Sequence, residues 1–314
     1  MSNETIEDAK SWVADSIDEA SQWYHSLSGD CLQMLDDLVR ALRAHPKPVQ
    51  EIRLQDSLMG ACVYCLAPVQ EALVSGRGFA IVDRIPVEEY SLEEAQAAYW
   101  IIGQCLGKPF VQNIEGTVLY DVRDTGQDVK EGVRFSVTNA ESSFHTDNAF
   151  SHQVPGIVGL LCVQTAKSGG QSQLVSAYAL HHALIKEHRE VLQTLYEPFY
   201  FDRRGQFLKG EESVRSAPVF RWDGNDLHMR YLNFYIQVGH QEAGIPLTSE
   251  QTRALEALEN LLKQPAFRVT FDLKPGQMLF TNNEWILHNR TAFEDYEIFE
   301  QRRHYVRLWL NPMN

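Results

Sequence analysis

The sequence predicts a mainly β fold with flanking helices, a sandwich or barrel such as a jelly roll. Two observations support this prediction. After Gly107 the chain consists of many short apolar segments separated by polar turns, which is typical of sandwiches and barrels. Before Gly107, longer segments carry apolar side chains at helical spacing. With 314 residues, of which 44% are hydrophobic, the chain can build a substantial core.

The first part of the chain is predicted to be a helical extension, residues 1–75, packed on a core domain of residues 76–314. Apolar side chains recur at helical spacing in three segments of this extension. These segments are residues 7–25, residues 32–42 and, with an interruption or kink at Pro68, residues 54–75.

The core domain is predicted to begin with a strand at residues 79–83 and a helix that ends at Leu106. Ser91 can cap this helix, and Glu94 completes a capping box. Further strands are expected at residues 118–122, 156–164, 173–175, 219–221, 227–230, 267–273, 278–281 and 305–310. Two helices interrupt them, at residues 177–195 and after a capping box formed by Thr248 and Gln251.

The composition limits the classes of function and partner. The chain has 28 Lys and Arg against 42 Asp and Glu, a net charge of −14, so phosphate backbones would repel it and nucleic-acid binding is not expected. No apolar run is long enough for a membrane span, and the N-terminus lacks the pattern of a signal peptide. We therefore expect a cytoplasmic protein with a small-molecule substrate, and the N-terminal helices could mediate a homo-oligomer.

The five cysteines are odd in number and scattered, as expected for free thiols in a reducing compartment. Cys62 and Cys65 form a Cys-x-x-Cys pair, which also occurs in redox and zinc sites. No second pair of ligands follows it, and the surrounding segment is apolar. We therefore predict that both are small buried helix residues.

His145, Asp147 and His288 are the candidate metal ligands. In a strand, residues two apart point to the same side, so His145 and Asp147 should converge. His288 follows a late strand and turn, which a barrel could return to the first pair. Two imidazoles and one carboxylate can hold one face of a ferrous ion and leave the other positions open for oxygen. Zinc accepts the same donors with one open position, so a zinc hydrolase is the alternative.

A basic cluster lies downstream, where Arg303, Tyr305 and Arg307 share one face of the predicted last strand. Arginines that face a barrel interior need an anionic partner, and a guanidinium matches a carboxylate bidentately. An edge strand would instead expose the same charges to solvent. The apolar alternation fits both orientations. A non-catalytic barrel that binds a small anion is therefore a third interpretation.

Together, these segments resemble the TauD/TfdA family of iron(II)- and 2-oxoglutarate-dependent dioxygenases. The resemblance runs from about Phe79 to the C-terminus, and it implies a double-stranded β-helix (jelly-roll, cupin-like) core. The matching segments occur in the family's order: Phe144-His145-Thr146-Asp147, Ala166-Lys167-Ser168-Gly169-Gly170-Gln171-Ser172, Lys274-Pro275-Gly276-Gln277-Met278, Asn282-Asn283, His288-Asn289-Arg290, and Arg302-Arg303 through Arg307.

The resemblance implies three cofactors or cosubstrates: Fe(II), 2-oxoglutarate and O2. The iron would be held by the three candidate ligands. Ser172, where the family often has threonine, and Arg303 would bind the carboxylates of 2-oxoglutarate. Arg307 would serve either the cosubstrate or an anionic group of the substrate. The interval from His288 to Arg303 is longer than in the sulfonate-oxidising members, which leaves the choice between the two arginines open.

The implied activity is hydroxylation of an unactivated C–H bond of a small polar molecule, with release of succinate and CO2. The carboxylate at Asp147 indicates an oxygenase, because related halogenases lack a carboxylate at this position. Asn148 is expected to contact the substrate. Tyr120, with Val122 and Arg134, could line a lid over it, and residues 124–131 form a polar loop just upstream of the metal motif.

Overall fold

The structure is a computed structural model that describes residues 9–17, 23–53, 56–126 and 137–312. Arg134 and most of the polar loop at residues 124–131 lie outside these ranges. The fold is mainly β with flanking helices, as predicted. The helices are α1 Gly29–Ala44, α2 Asp56–Val74, α3 Leu92–Leu106, α4 Ala177–Glu187, α5 Arg189–Leu192, α6 Asn233–Glu242 and α7 Ser249–Leu262.

The strands form a large sheet, a small sheet and three two-stranded ribbons in the described parts of the chain. In order, they are β1 Tyr24–Ser26, β2 Phe79–Asp83, β3 Gly107–Phe110, β4 Leu119–Arg123, β5 Ile157–Gln164, β6 Ser168–Gly169, β7 Ser172–Ser176, β8 Pro198–Asp202, β9 Val214–Pro218, β10 Phe220–Trp222, β11 Leu227–Met229, β12 Arg268–Phe271, β13 Met278–Asn282, β14 Ile286–Arg290, β15 Phe293–Glu294 and β16 His304–Pro312.

The large sheet has the order β1-β2-β13-β5-β16-β3, and β4 also pairs with β16. Only the β1–β2 pair is parallel among these pairings. The small sheet has the antiparallel order β12-β7-β14. The ribbons are β6–β15, β8–β9 and β10–β11. This arrangement is the double-stranded β-helix core that the resemblance implied, and it leaves an interior between the two main sheets.

The large sheet is buried on both faces. On β13, Met278 and Phe280 pack with the helices α1–α3, whereas Leu279 between them packs in the interior cluster. The sheet therefore divides the apolar core in two, as expected when both faces of a sheet are covered. The helices α4 and α7 contribute to the interior cluster.

The N-terminal residues differ from the prediction. The helix expected over residues 7–25 is not found in its described parts, which contain a 3₁₀ turn at Ala14–Ser16 and strand β1. The prediction was wrong because β1 is fixed by a distant partner: Tyr24 pairs with Ile81 on β2. Local spacing carries no information on such a pairing.

The predicted helices downstream are found. α2 continues through Pro68, and the capping boxes of α3 and α7 form at Ser91–Glu94 and Thr248–Gln251. The helix expected over residues 177–195 ends early, because α4 stops before His188 and the short α5 follows. α1 and α2 share a core cluster with α3 and the large sheet. The domain boundary at residue 75 stays a prediction.

The Cys-x-x-Cys pair lies on α2, as predicted. Cys62 is buried, whereas Cys65 is only partly buried, which corrects the prediction for that residue. Cys62 lies 3.8 Å from Cys31 (Sγ to Sγ) and 3.0 Å from Met34 (Sγ to Sδ). A hydrogen bond with Cys105 leads the effects that raise the pKa of Cys62 to about 12. Cys62 is therefore a protonated thiol in the core. All five cysteines are free, as expected.

The β8–β9 ribbon packs tightly against α6. A Cβ atom on Gly239 would lie only 2.4 Å from the carbonyl oxygen of Tyr200 on β8, so the helix and the strand approach closely because this residue is glycine.

No helix within the described ranges is long and apolar enough to cross a lipid bilayer.

A buried histidine makes the stability of the fold depend on pH. His181 on α4 lies 2.8 Å from the hydroxyl of Tyr196 and contacts the Phe220 ring edge-on. Burial, and then the neighbouring His182, lower its pKa to about 4 from an ordinary 6.5. Between these two values the unfolded chain binds a proton that the folded chain does not, so stability falls as the pH falls.

We predict that His181→Phe removes part of this pH dependence while the ring packing is kept. The free energy of unfolding of the wild type, minus that of the variant, should fall by about 1–2 kcal/mol from pH 7 to pH 5. Urea unfolding at pH 7, 6 and 5 measures this difference. The control His45→Phe, at an exposed position, should follow the wild type, and parallel profiles for His181→Phe would contradict the prediction.

Candidate metal centre and adjoining cavity

Two segments bring the predicted ligands together. His145 and His288 form an isolated antiparallel bridge, in which each backbone N–H donates to the other residue's carbonyl, at 3.0 and 2.9 Å. Their imidazole rings are 4.3 Å apart between centroids. Asp147 follows two residues after His145. The spacing argument thus placed the early pair correctly, and His288 lies on β14, the strand after β13.

The donor atoms converge on one point. The Nε2 atoms of His145 and His288 lie 3.6 and 3.7 Å from Oδ1 of Asp147. Within the described ranges, this is the only group of three or more His, Cys, Asp or Glu side chains whose donor atoms all lie within 4.8 Å of one another. Two nitrogens and one oxygen at such distances can occupy one face of an ion and leave its other positions open.

The two imidazoles have different surroundings. Nδ1 of His145 donates to the carbonyl oxygen of Ser143 at 2.7 Å, which leaves Nε2 directed at Asp147. Burial is the main effect that lowers the pKa of His288, to about 3. His288 is therefore neutral at physiological pH, as a metal-binding imidazole must be.

The Asp147 carboxylate is buried and ionised. Its Oδ2 accepts a hydrogen bond from Nε1 of Trp309 at 2.7 Å, and Arg307 Nη1 lies 3.2 Å from both oxygens. Burial by itself would raise the pKa of Asp147, but Arg307 and the two histidines more than reverse this effect and lower it. The hydrogen bond from Trp309 occupies Oδ2 and leaves Oδ1 directed at the histidines.

The backbone of Asp147 is fixed by one fully buried side chain. The backbone N–H of Asp147 donates to Oδ1 of Asn283 at 2.7 Å. Nδ2 of Asn283 donates to the carbonyl of Asp147 and to that of Pro155, both at 3.0 Å. Asn283 therefore ties the metal-binding segment to the end of β13.

A cavity adjoins the three ligands and lies between the two main sheets. The large sheet supplies lining residues from β4, β5, β13 and β16, and the small sheet supplies others from β7 and β14. Together with three residues outside these strands, the lining consists of Val122, Ser142, His145, Leu160, Ser172, Leu174, Leu279, His288, Asn289, Arg290, Arg303 and Arg307. The cavity therefore combines an apolar wall from four aliphatic side chains with polar and charged groups, as binding sites commonly do.

Two guanidinium groups face this cavity without a carboxylate partner. Arg303 is 3% exposed, and its Nη1 has no hydrogen-bond partner. Burial lowers its pKa. Arg290 is buried beside it, and burial followed by repulsion from Arg303 lowers the pKa of Arg290 to about 9. Neither arginine forms an ion pair among the described residues, so both guanidiniums can accept an anion in the cavity as a direct partner.

The orientation that the sequence left open is thus inward for Arg303 and Arg307. On β16, Val306, Leu308 and Leu310 pack with the helices on the outer face of the sheet. The opposite face carries Tyr305, whose ring lies under the Arg303 guanidinium at 3.8 Å. Ser172, at the start of β7, is buried and lines the same cavity, opposite Arg290 in the register of the small sheet.

Two predicted substrate contacts lie near the ligands but do not line the cavity. Asn148 has a positive φ of 57°, and its Nδ2 donates to the carbonyl of Gln153 at 2.9 Å. The Tyr120 ring lies 5.1 Å from the guanidinium of Arg307. Their assignment to the substrate stays a prediction.

Sequence reasoning missed three residues of this region: Trp309, Asn283 and Arg290. Trp309 shares the odd-numbered face of β16 with Tyr305 and Arg307, so the alternation argument already contained the information needed to find it. Asn283 and Arg290 were part of matching segments, but their spacing gave no indication of which groups they contact.

The comparisons with known proteins agree with this geometry. The sequence model of the family described as "Taurine catabolism dioxygenase TauD, TfdA family" matches residues 66–309. FR-33289 synthase of Streptomyces rubellomurinus is 26% identical over 308 residues, which cover 96% of this chain and 89% of the relative. Uridine-5′-phosphate dioxygenase of an Amycolatopsis species is 27% identical over 247 residues, which cover 74% and 85%.

Solved structures share the fold. Asparagine oxygenase in complex with Fe(II), (2S,3S)-3-hydroxyasparagine and succinate superimposes with a TM-score of 0.70 at 18% identity, over 92% of this chain and 93% of that one. The non-heme iron oxygenase OrfP in complex with iron and α-ketoglutaric acid has a TM-score of 0.66 at 15% identity, over 92% and 94%.

We predict that Trp309→Phe weakens metal binding. The variant keeps the ring but removes the N–H that binds Oδ2 of Asp147, so the carboxylate is less well oriented. Outer partners of this kind contribute about 10- to 100-fold to metal affinity. Anaerobic calorimetric titration with Fe(II) should show an affinity at least tenfold lower. Trp222→Phe, at a partly exposed position on β10, is the control, and unchanged affinity for Trp309→Phe would contradict the prediction.

Proposed function

Because the chain belongs to the TauD/TfdA family, we propose that it is an Fe(II)- and 2-oxoglutarate-dependent dioxygenase. This oxidoreductase hydroxylates an unactivated C–H bond of a small polar molecule and releases succinate and CO2. One observation carries the proposal: a group of two histidines and one aspartate converges beside a cavity that contains two buried, unpaired guanidiniums. Metal ligands and an anion pocket side by side are what an iron enzyme with a dicarboxylate cosubstrate requires.

His145, Asp147 and His288 are the proposed ligands of the iron. With 2-oxoglutarate and O2, the bound metal supplies the oxidising chemistry, and the protein supplies position and exclusion of water. The residues fit this role because His288 is neutral, Nδ1 of His145 is occupied by the carbonyl of Ser143, and the Asp147 carboxylate is kept ionised by Arg307. The apolar part of the cavity wall, including Leu160 and Leu174, keeps the reacting centre dry.

Arg303 is the proposed partner of the distal carboxylate of 2-oxoglutarate, with Arg290 beside it. Both face the cavity and lack an anion. The Ser172 hydroxyl can donate a further hydrogen bond to the same cosubstrate. Arg307 is already engaged, since it binds Asp147 and the side chain of Gln112 at 2.8 Å. We therefore assign it to positioning the metal carboxylate, which favours Arg303 over Arg307 for the cosubstrate.

The two other interpretations explain less. A zinc hydrolase could use the same three ligands but gives no reason for the guanidinium pair in the adjoining cavity. A non-catalytic anion-binding barrel gives no reason for the ligands. The Amycolatopsis relative is named a dioxygenase, and asparagine oxygenase was solved with a hydroxylated amino acid. These names support an oxygenase with a small-molecule substrate.

The proposed cellular location and oligomeric state rest on the cysteines and on exposed side chains of α2. The five free cysteines support a reducing, cytoplasmic location. A homo-oligomer through the N-terminal helices is compatible with exposed apolar side chains on α2, such as Tyr64 and Val74. Size-exclusion chromatography with light scattering measures the oligomeric state.

The proposed function is tested by Asp147→Ala. Loss of the anionic ligand should abolish iron binding and reduce succinate formation from 2-oxoglutarate by more than about 1,000-fold, since the chemistry depends on the metal. Iron content by metal analysis and succinate by chromatography are the two measurements. The control Asp37→Ala changes an exposed aspartate of α1. Full retention of succinate formation by Asp147→Ala would exclude the proposed function.

The cosubstrate assignment makes a separate prediction. Arg303→Gln should raise the KM for 2-oxoglutarate about 100-fold, because truncation of a buried charge pair costs about 2–5 kcal/mol. The control Arg302→Gln removes the neighbouring arginine, which binds the carbonyl of Tyr296. Steady-state kinetics with varied 2-oxoglutarate measures both. If Arg302→Gln and Arg303→Gln had equal KM values, the assignment of Arg303 would be wrong.

A further inference from the structure

A second group of unpaired cations borders the segment that follows Asp147. Arg215 on β9 donates to Nδ1 of His152. Arg230, just after β11, donates to the carbonyls of Ser151 at 2.6 Å and Ala149 at 3.4 Å. Two distant segments therefore each place a guanidinium against the turn at residues 148–153, within five residues of the metal carboxylate.

Arg215 is partly buried, on the covered face of the β8–β9 ribbon. It pairs with Phe201 across the β8–β9 ribbon, and opposite residues of an antiparallel pair lie on the same face. Phe201 and Ala217, which share that face, are buried. The Nε of Arg215 is also buried and has no hydrogen-bond partner. A guanidinium with an unused buried donor needs an acceptor that the described side chains do not supply.

The positive charge in this group is not neutralised by nearby acids. Among the described residues, neither Arg215 nor Arg230 forms an ion pair. Two acids of the adjoining ribbon and its loop bind other arginines: Asp202 binds Arg204, and Glu211 binds Arg203 at 2.9 Å. Burial, and then repulsion from Arg215 and Arg221, lower the pKa of Arg230 to about 10, which reflects the same excess of positive charge.

A series of contacts leads from the metal centre towards this group. It passes from Asp147 to Arg307 and then to Gln112. The backbone N–H of Gln112 closes a loop with Thr117 at 2.8 Å. Within this loop the backbone N–H of Ile114 donates to Oε1 of Gln206 at 3.2 Å.

Gln206 lies in the loop between β8 and β9, the ribbon that carries Arg215. On the other side, the turn that starts at Asn148, closed by a hydrogen bond from the N–H of Ser151 at 2.9 Å, connects His152 to Asp147 along the chain. The segments that carry the basic group therefore adjoin the segment that carries the metal ligand.

We infer that Arg215, Arg230 and His152 form a subsite for a phosphoryl group, either a phosphate ester or a phosphonate, on the substrate. This inference rests on the proposed function and specifies its substrate class. A phosphoryl group carries a charge between −1.5 and −2 at neutral pH, which matches two guanidiniums, whereas a carboxylate or sulfonate carries about −1 and leaves one cation unpaired. Since Nδ1 of His152 accepts from Arg215, Nε2 is the donor nitrogen of this ring and offers a third hydrogen bond.

The test compares probes that differ only in the anionic group. 2-Aminoethylphosphonate, taurine and β-alanine share one carbon frame and carry a phosphonate, a sulfonate and a carboxylate. Uridine 5′-phosphate and uridine test the phosphate ester in the same way. Each is titrated calorimetrically into the full-length protein under anaerobic conditions with Fe(II) and saturating 2-oxoglutarate, so that the cosubstrate occupies the Arg303 pocket.

At least one phosphoryl probe should bind at least tenfold more tightly than its partners without that group, and which one binds separates an ester from a phosphonate. Arg215→Gln should weaken that binding at least tenfold, and Arg215→Lys, which keeps the charge, should weaken it less. Arg253→Gln, an exposed arginine of α7, changes the net charge equally and should have no effect. Absence of any phosphoryl preference, or unchanged binding by Arg215→Gln, would overturn the inference.

The outcome is separable from that of the proposed function. Arg303→Gln should lose affinity for 2-oxoglutarate but retain binding of the phosphoryl probe, and Arg215→Gln should do the opposite. If no probe binds while the wild type still forms succinate, the subsite is wrong and the dioxygenase assignment stands. If the probe binds but no iron-dependent succinate is formed, the subsite stands and the dioxygenase assignment is wrong.

Discussion

The buried negative charge of Asp147 is the constraint on which the rest of the site depends. A carboxylate that is 4% exposed must be compensated, because an unpaired charge in a protein interior is very costly. Arg307 and Trp309 supply this compensation from β16, and Asn283 fixes the backbone from the end of β13. The metal carboxylate therefore holds its position only if both strands of the large sheet are in their correct register.

That register links the apolar core to the chemistry. On β16, the residues at even positions from Val306 to Leu310 pack against the helices, and the residues at odd positions from Arg303 to Trp309 face the interior. A shift of one residue would bury the arginines against α3 and expose the leucines to the cavity. Packing of the outer face thus selects the orientation of the arginines, although those arginines contribute little to the apolar core.

The sequence predicted the parts of the site that depend on local geometry. The spacing of His145 and Asp147 was sufficient to predict that they converge, and the ordered motifs were sufficient to predict the family. Spacing could not decide which way the face of Arg303 points, because alternation separates the two faces of a strand but does not tell which of them meets the helices and which the interior. The same limit explains the wrong helix over residues 7–25, where β1 owes its conformation to β2, more than fifty residues away.

The protein has a net charge of −14, whereas the charged side chains of the cavity wall include three arginines, and this local positive charge affects ligand binding. Arg290 and Arg303 repel each other in a buried cavity and find no carboxylate among the described residues. The folded protein tolerates this repulsion because other interactions hold both side chains in place, including the stack of Arg303 on Tyr305. A dianionic ligand that enters the cavity relieves the repulsion and gains charge-assisted hydrogen bonds at the same time. Folding therefore places the cationic groups that bind the ligand before the ligand arrives. Ligand binding in turn stabilises the folded protein, and this stabilisation increases with ligand concentration.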